Sequence, residues 1–156
     1  MFDLIFLHRA IELAKIHSAD GQNGPFGAVI VRANSIIAEG WNQVVDNNDP
    51  TAHAEVVAIR NACQRLRSFR LDGCTIYSSC EPCPMCLSAI YWSRIDSVVF
   101  AASQKDAAKA GFDDAFLYDE MGRSWAKRKI NSFRGLEKEG IAVFELWEKN
   151  PDKIAY

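Results

Sequence analysis

The sequence predicts an α/β fold, a three-layer α/β/α sandwich around a mixed sheet. Three observations predict it: an amphipathic stretch at the start, two apolar runs joined by a short turn, and helical and extended segments that alternate from there to about residue 102. At 156 residues the chain has the length of one ordinary domain, able to bury a core without disulfide staples. Residues 1–156 are therefore expected to form a single domain.

Apolar positions recur at helical spacing from Phe2 to Ala19, interrupted by Asp3, His8, Arg9, Glu12 and Lys15. The stretch reads as a helix rather than a signal peptide. Gly21, Asn23 and Gly24 break it. Phe26 to Val31 and Ile36 to Trp41, joined by Ala33-Asn34-Ser35, read as a hairpin, and VVDNNDP as a polar loop. Asp49-Pro50-Thr51 carries helix-starting chemistry, with Thr51 or Asp49 as the cap, for a helix that runs to about Leu66. Cys74 to Ser78 is a strand, Pro82 or Pro84 to about Trp92 a helix, and Ser97 to Ala101 a strand. Beyond Ala102 the periodicity weakens, and IAVFELWEK fits either helix or strand.

With 49% hydrophobic and 24% charged residues the composition is that of a soluble globular protein. No window approaches the roughly 18 consecutive apolar residues of a membrane span, which excludes a membrane partner and leads us to expect a cytoplasmic protein. A formal net charge of −2 removes any global attraction to nucleic acid. Arg60, Arg65, Arg67 and Arg70 could still touch RNA, but a solvated helix face accounts for them as well.

The cysteines carry the chemistry. There are five, and Cys80, Cys83 and Cys86 are crowded into SSCEPCPMC, which suits a metal site in a reducing compartment better than a disulfide framework. Cys83 and Cys86, three apart at the mouth of a helix, lie on one face and can grip one ion. His53 in TAHAEV adds an imidazole, and Zn²⁺ accepts this mixture of nitrogen and sulfur. Three ligands leave the fourth tetrahedral position to water, the catalytic arrangement; Cys80 as a fourth ligand would close a structural site instead. Glu55 argues for catalysis, since a carboxylate beside a zinc-bound water can shuttle its protons. The reading requires His53 and Glu55 to lie at an irregular helix start, because residues two apart in a helix interior point to opposite sides. Both helix N-termini then aim their partial positive charge at the metal.

His53-Ala54-Glu55 with Pro82-Cys83-Pro84-Met85-Cys86 matches the zinc deaminase signature, His-x-Glu and a downstream Pro-Cys-x-x-Cys. Through GPFGAVIV, AEGWN, NDPTAHAEV, SSCEPCPMC, AIYWSR, AAKAGFDD and the terminal Tyr156, the chain resembles the bacterial guanine deaminases of the cytidine deaminase-like superfamily. GFDD is the discriminating piece, being no part of the general signature. The resemblance implies a cytidine deaminase-like fold, one Zn²⁺ per subunit with a bound water or hydroxide on His53, Cys83 and Cys86, and hydrolysis of guanine to xanthine and ammonia with Glu55 as proton shuttle.

The residues admit that substrate. Guanine carries donors at N1 and at its exocyclic amine where adenine has a bare acceptor at N1, so an ionised carboxylate complements guanine and opposes adenine. Asp113 or Asp114 could be that acceptor, or both could belong to a solvated turn after Gly111. The resemblance favours Asp114, as an orienting group or a proton carrier to the departing amine. It also implies that Phe26 and Asn42 line the base pocket and that Ala54 gives backbone contacts, although a core Phe and a turn Asn fit the same positions. Trp92, after the metal-binding helix, could wall the site or simply pack its end. Family members exchange their C-terminal segments between subunits, which implies a homodimer in which residues from about 123 to 156 cross over and Tyr156 closes the partner's pocket. Three other readings stand beside this one: a guanosine or other aminoheterocycle deaminase, a tRNA adenosine deaminase, and a zinc-stabilised interaction module without catalysis.

Overall fold

The computed structural model describes residues 2–156, and contacts divide the chain after Phe116 into two compact units. The first contains a four-stranded mixed sheet with helices on both faces, the α/β/α arrangement expected from the sequence.

Helix α1 (Leu4–His17) starts where the Asp3 side chain accepts a hydrogen bond from the Ile5 amide at 3.0 Å, and it buries Phe6, Ala10, Leu13 and Ala14, one stripe at helical spacing. Strands β1 (Gly27–Arg32) and β2 (Ser35–Trp41) form the hairpin; both turn residues, Ala33 and Asn34, adopt left-handed backbone, the conformation that lets a two-residue turn follow the strand twist. A four-residue helix, α2 (Val44–Asn47), closes on Asn48 with φ 49° inside the segment expected to be loop. Helix α3 (Ala54–Leu66), strand β3 (Cys74–Cys80), helix α4 (Pro84–Trp92) and strand β4 (Ser97–Ala102) follow as expected.

The strand order is β2-β1-β3-β4, with β1 antiparallel to both neighbours and β3 parallel to β4. Alternate residues of β1 face opposite layers. Val29 and Val31 join Phe6, Leu13 and Tyr77 under α1, while Ala28 and Ile30 join Ala54, Ala58, Ile76 and Ile90 under α3 and α4. Gly27 allows α1 to approach the sheet, because a Cβ there would stand 2.2 Å from the Ala10 carbonyl oxygen. Arg9 ties α1 to β2 through two parallel hydrogen bonds to Glu39, at 2.7 and 2.9 Å. No helix among the described residues is long and apolar enough to cross a membrane.

After β4 the chain forms α5 (Gln104–Lys109) and α6 (Ala115–Met121), the latter spanning the division between the units. The second unit holds a single 3₁₀ turn (Trp125–Lys127) and α7 (Glu137–Lys149), so the ambiguous IAVFELWEK is helical. None of the residues of α7 is buried.

Candidate active site

Two helix starts build the site. Pro84 occupies the first position of α4, where its missing N–H costs nothing, and it confines Cys83 before it to extended backbone (φ −64°, ψ 168°) as N-cap. His53 is the N-cap of α3, also extended (φ −67°, ψ 155°). The carbonyls of both caps accept the first intrahelical bond, from Leu87 at 2.8 Å and Val57 at 2.9 Å. The sequence led us to expect Thr51 or Asp49 as the cap of α3, and neither caps it; Asp49 instead accepts from the amide and hydroxyl of Thr51, at 2.8 and 2.6 Å, and shapes the turn before the helix.

His53 presents Nδ1 to both sulfurs, 3.6 Å from Cys83 Sγ and 3.5 Å from Cys86 Sγ, and the three ligand atoms lie within 4.8 Å of one another. A nitrogen and a sulfur bound to one zinc at tetrahedral angles stand about 3.5 Å apart. The donor set and its spacing therefore fit the ion. Without the ion, the Cys83 thiol is pulled down to about 4 by the hydrogen bond from Cys86 and by His53, against its burial. Cys86 is pushed up by its bond to Cys83 and by burial, and His53 is raised first by Cys83 and further by the charges of Glu55 and Asp114. A lowered thiol beside a second thiol and an imidazole is a donor set that a cation can organise.

Cys80 lies outside the trio. It ends β3, its thiol donates to the Ser103 carbonyl at 3.6 Å, and burial pushes it up to about 11. All five cysteines are free.

Glu55, in the first turn of α3, is 6% exposed, and burial raises its carboxyl above the usual range. The Ser78 hydroxyl donates to its Oε1 at 3.2 Å. Ser78 escaped the sequence reading: a serine inside an apolar strand is the only trace it leaves, and its partner is on another element.

The substrate-side residues are distributed unevenly. Phe26 is half-buried against the α3-side core, edge-on to Phe112 with ring centroids 4.9 Å apart. Asn42 is buried, its Oδ1 accepting from the Val44 amide at 3.2 Å, and its Nδ2 makes no hydrogen bond among the described residues. Ala54 is fully buried. The two aspartates separate: Asp113 is used locally, accepting from the Ala115 amide at 3.0 Å, whereas Asp114 accepts from Gln104 and is near enough for its charge to raise His53. Trp92 stands at the other end of α4. It closes α4 at the end opposite Cys83, six positions or about 9 Å of helix beyond Cys86, and is 62% exposed beneath Arg94. Tyr156 belongs to the second unit and is 74% exposed.

A mixed α/β/α sheet whose ligands stand at two helix N-termini, with a buried carboxylate beside them, defines a zinc-dependent deaminase domain. The chain belongs to the family described as the cytidine and deoxycytidylate deaminase zinc-binding region, which matches residues 2–102, and its cofactor is Zn²⁺. Within that class it is similar to the guanine deaminase of Bacillus subtilis strain 168, at 50% identity over 151 residues, 97% of either chain. The X-ray structure of guanine deaminase from Bacillus subtilis matches it with a TM-score of 0.96 at 49% identity, covering 100% of this chain and 99% of that one. The tRNA-specific adenosine deaminase of Haemophilus influenzae is 44% identical over 119 residues, 72% of this chain and 68% of the relative.

Proposed function

We propose that the protein is a zinc-dependent guanine deaminase, hydrolysing guanine to xanthine and ammonia in the cytoplasm. The observation that carries the reaction type is the buried carboxylate of Glu55 beside the His53, Cys83 and Cys86 trio. The substrate is supported by the similarity to a guanine deaminase along the whole chain, where the similarity to the tRNA enzyme spans less of it.

His53, Cys83 and Cys86 would hold the zinc, which would supply a water acidic enough for hydrolysis near neutral pH. Glu55 would accept a proton from the attacking water; its raised affinity for protons, a result of burial, suits a group that must also give the proton back. It delivers that proton to the ring nitrogen next to C2, which we assign as N3. The Ser78 hydroxyl keeps one Glu55 oxygen in place during both transfers. Asn42 offers its amide N–H groups to an acceptor on the purine edge, Phe26 packs the base face, and Ala54 presents backbone. Asp114 accepts from N1–H and the amine, which opposes adenine, and relays to the amine the proton that lets ammonia leave.

We further propose that the whole chain acts as one deaminase domain within a homodimer, in which segments from about residue 123 to 156 exchange and Tyr156 closes the partner's site. The support is the exposed apolar surface of α7, together with the family resemblance. Nucleic acid is an unfavoured partner: Arg60 pairs with Asp49 at 3.2 Å, Arg70 with Asp72 at 2.8 Å, and Arg65 donates to the Ile37 carbonyl at 2.9 Å, so the basic cluster is largely engaged by its own chain.

The deciding experiment supplies the zinc-loaded protein with guanine, guanosine, adenine and an RNA hairpin in separate reactions and measures ammonia with the matching product. Xanthine from free guanine is expected. Product from guanosine or RNA alone would move the substrate while keeping the chemistry, and no product from any of the four would sink the enzymatic reading.

A further inference from the structure

We propose that Gln104 is a positioning residue that fixes the Asp114 carboxylate relative to the metal-binding loop. The inference deepens the guanine deaminase reading and rests on it. Asp114 follows Gly111, whose φ of 95° marks an irregular connection, and among the described residues the hydrogen bond its side chain accepts comes from outside that segment. Gln104 supplies it from ten positions earlier, donating from Nε2 to Asp114 Oδ1 at 2.8 Å. A carboxylate partner leaves the amide only its nitrogen end to offer, so Asp114 Oδ1 is the acceptor of this bond and the side chain is held from one side. The second oxygen, Oδ2, makes no hydrogen bond among the described residues and stays available to substrate.

Gln104 is itself anchored. It is the first residue of α5, and its backbone amide donates to Glu81 Oε2 at 2.9 Å. Glu81 stands between Cys80 and Cys83, and its own amide donates to the Ala102 carbonyl at 2.8 Å. The reciprocal cap between Ser103 and Asp106 holds the same turn. Two hydrogen bonds in series, both donated by Gln104, thus index Asp114 to the loop that presents Cys83, and the bond from the Glu81 amide to Ala102 ties that loop to the end of β4. In the proposed reaction Gln104 acts only through Asp114.

The test compares Gln104→Met, which keeps the length and removes the donor, with Gln104→Glu, which keeps the shape and sets a second carboxylate against Asp114. Each is made alone and with Asp114→Ala, and kcat, KM, zinc content and melting temperature are measured with guanine. Gln104→Met should lower kcat about tenfold, the order expected from losing a hydrogen bond to a charged group, with KM within about twofold and zinc unchanged. Gln104→Glu should lower it further, an order that a space-filling role would reverse. In the Asp114→Ala background neither change should matter. Equal or reversed losses for Met and Glu, or losses that persist without Asp114, would overturn the inference while leaving the function intact. If Asp114→Ala has no measurable rate, the Met-against-Glu order decides alone. A wild-type protein inert toward guanine would overturn the function and this inference with it.

Discussion

Gly40 of β2 lies against the backbone of Ala54, the first residue of α3: a Cβ at Gly40 would stand 2.3 Å from the Ala54 carbonyl oxygen and 2.5 Å from the Ala58 amide nitrogen. Both contacts are backbone, so neither can swing aside. The methyl of Gly40→Ala must push the start of α3 away from the sheet, and that start carries His53 and Glu55. We expect a loss of about 1–3 kcal/mol of stability, the usual scale for overpacking, and a drop in zinc content in the same variant. Calorimetry and metal analysis check both, and an unchanged melting temperature would mean that the packing is looser than the geometry implies.

Glu55→Gln separates metal binding from proton transfer. The amide fills the same space beside Ser78 but cannot take a proton from water. Zinc should remain at the wild-type level while guanine turnover falls by roughly a hundredfold to ten-thousandfold, the range for removing a general acid–base group. Retained turnover would remove Glu55 from the role.

Much of the fold is legible in the sequence because it is written in period. The stripe on α1 and the hairpin around Ala33 and Asn34 are patterns within short windows, and the trio is legible because its two halves, His53-Ala54-Glu55 and Pro82-Cys83-Pro84-Met85-Cys86, are each a short motif although 30 positions separate His53 from Cys83. The helix α2 was not legible, since turn-forming residues surround its four positions and it closes on a left-handed Asn48. The helix α7 was ambiguous because its apolar residues run together and its N-cap, Leu136, makes no side-chain capping bond. The contacts from Ser78 to Glu55 and from Gln104 to Asp114 join different elements, 23 and 10 positions apart, and leave no periodic trace. The cap of α5 is different: Ser103 followed three residues later by Asp106 is a readable signal.

That cap carries a pH dependence. Ser103 donates from its hydroxyl to Asp106 Oδ2 at 2.6 Å and from its amide at 3.1 Å, and Lys109 adds a bond at 3.1 Å, so the Asp106 carboxyl is held down to about 2. Because the folded value lies below the ordinary one of about 3.9, the cap's contribution is fully present above pH ~4 and is lost as pH falls through about 2. Carboxyl ¹³C NMR should place the midpoint near 2 and show it rising in Ser103→Ala. A wild-type midpoint in the ordinary range would contradict the capping geometry.

Cys80→Ser should keep zinc, because Cys80 is bonded to Ser103 rather than to the trio, while Cys83→Ser or Cys86→Ser should lose most of it. Metal stoichiometry of the three proteins decides the matter. Zinc loss in Cys80→Ser as well would point to a closed structural site.

The proposed exchange of C-terminal segments makes a prediction that separates partner from self. Phe144 is 74% exposed and Leu146 71%, on a helix with no buried residue, a surface that another chain is expected to cover. Phe144→Glu should therefore weaken the dimer about tenfold to a hundredfold, the scale of exposing one large apolar side chain, as read by light scattering over a concentration series. Mixing is more decisive. Glu55→Gln lacks its proton shuttle, and a chain without Tyr156 lacks the group proposed to close the partner's site. If Tyr156 serves the partner, a mixed dimer contains one complete site, made of Glu55 from one subunit and Tyr156 from the other. Random exchange makes half of the dimers mixed, so activity should recover to about a quarter of wild type per chain. If Tyr156 serves its own subunit, every site in the mixture lacks one group and no activity returns.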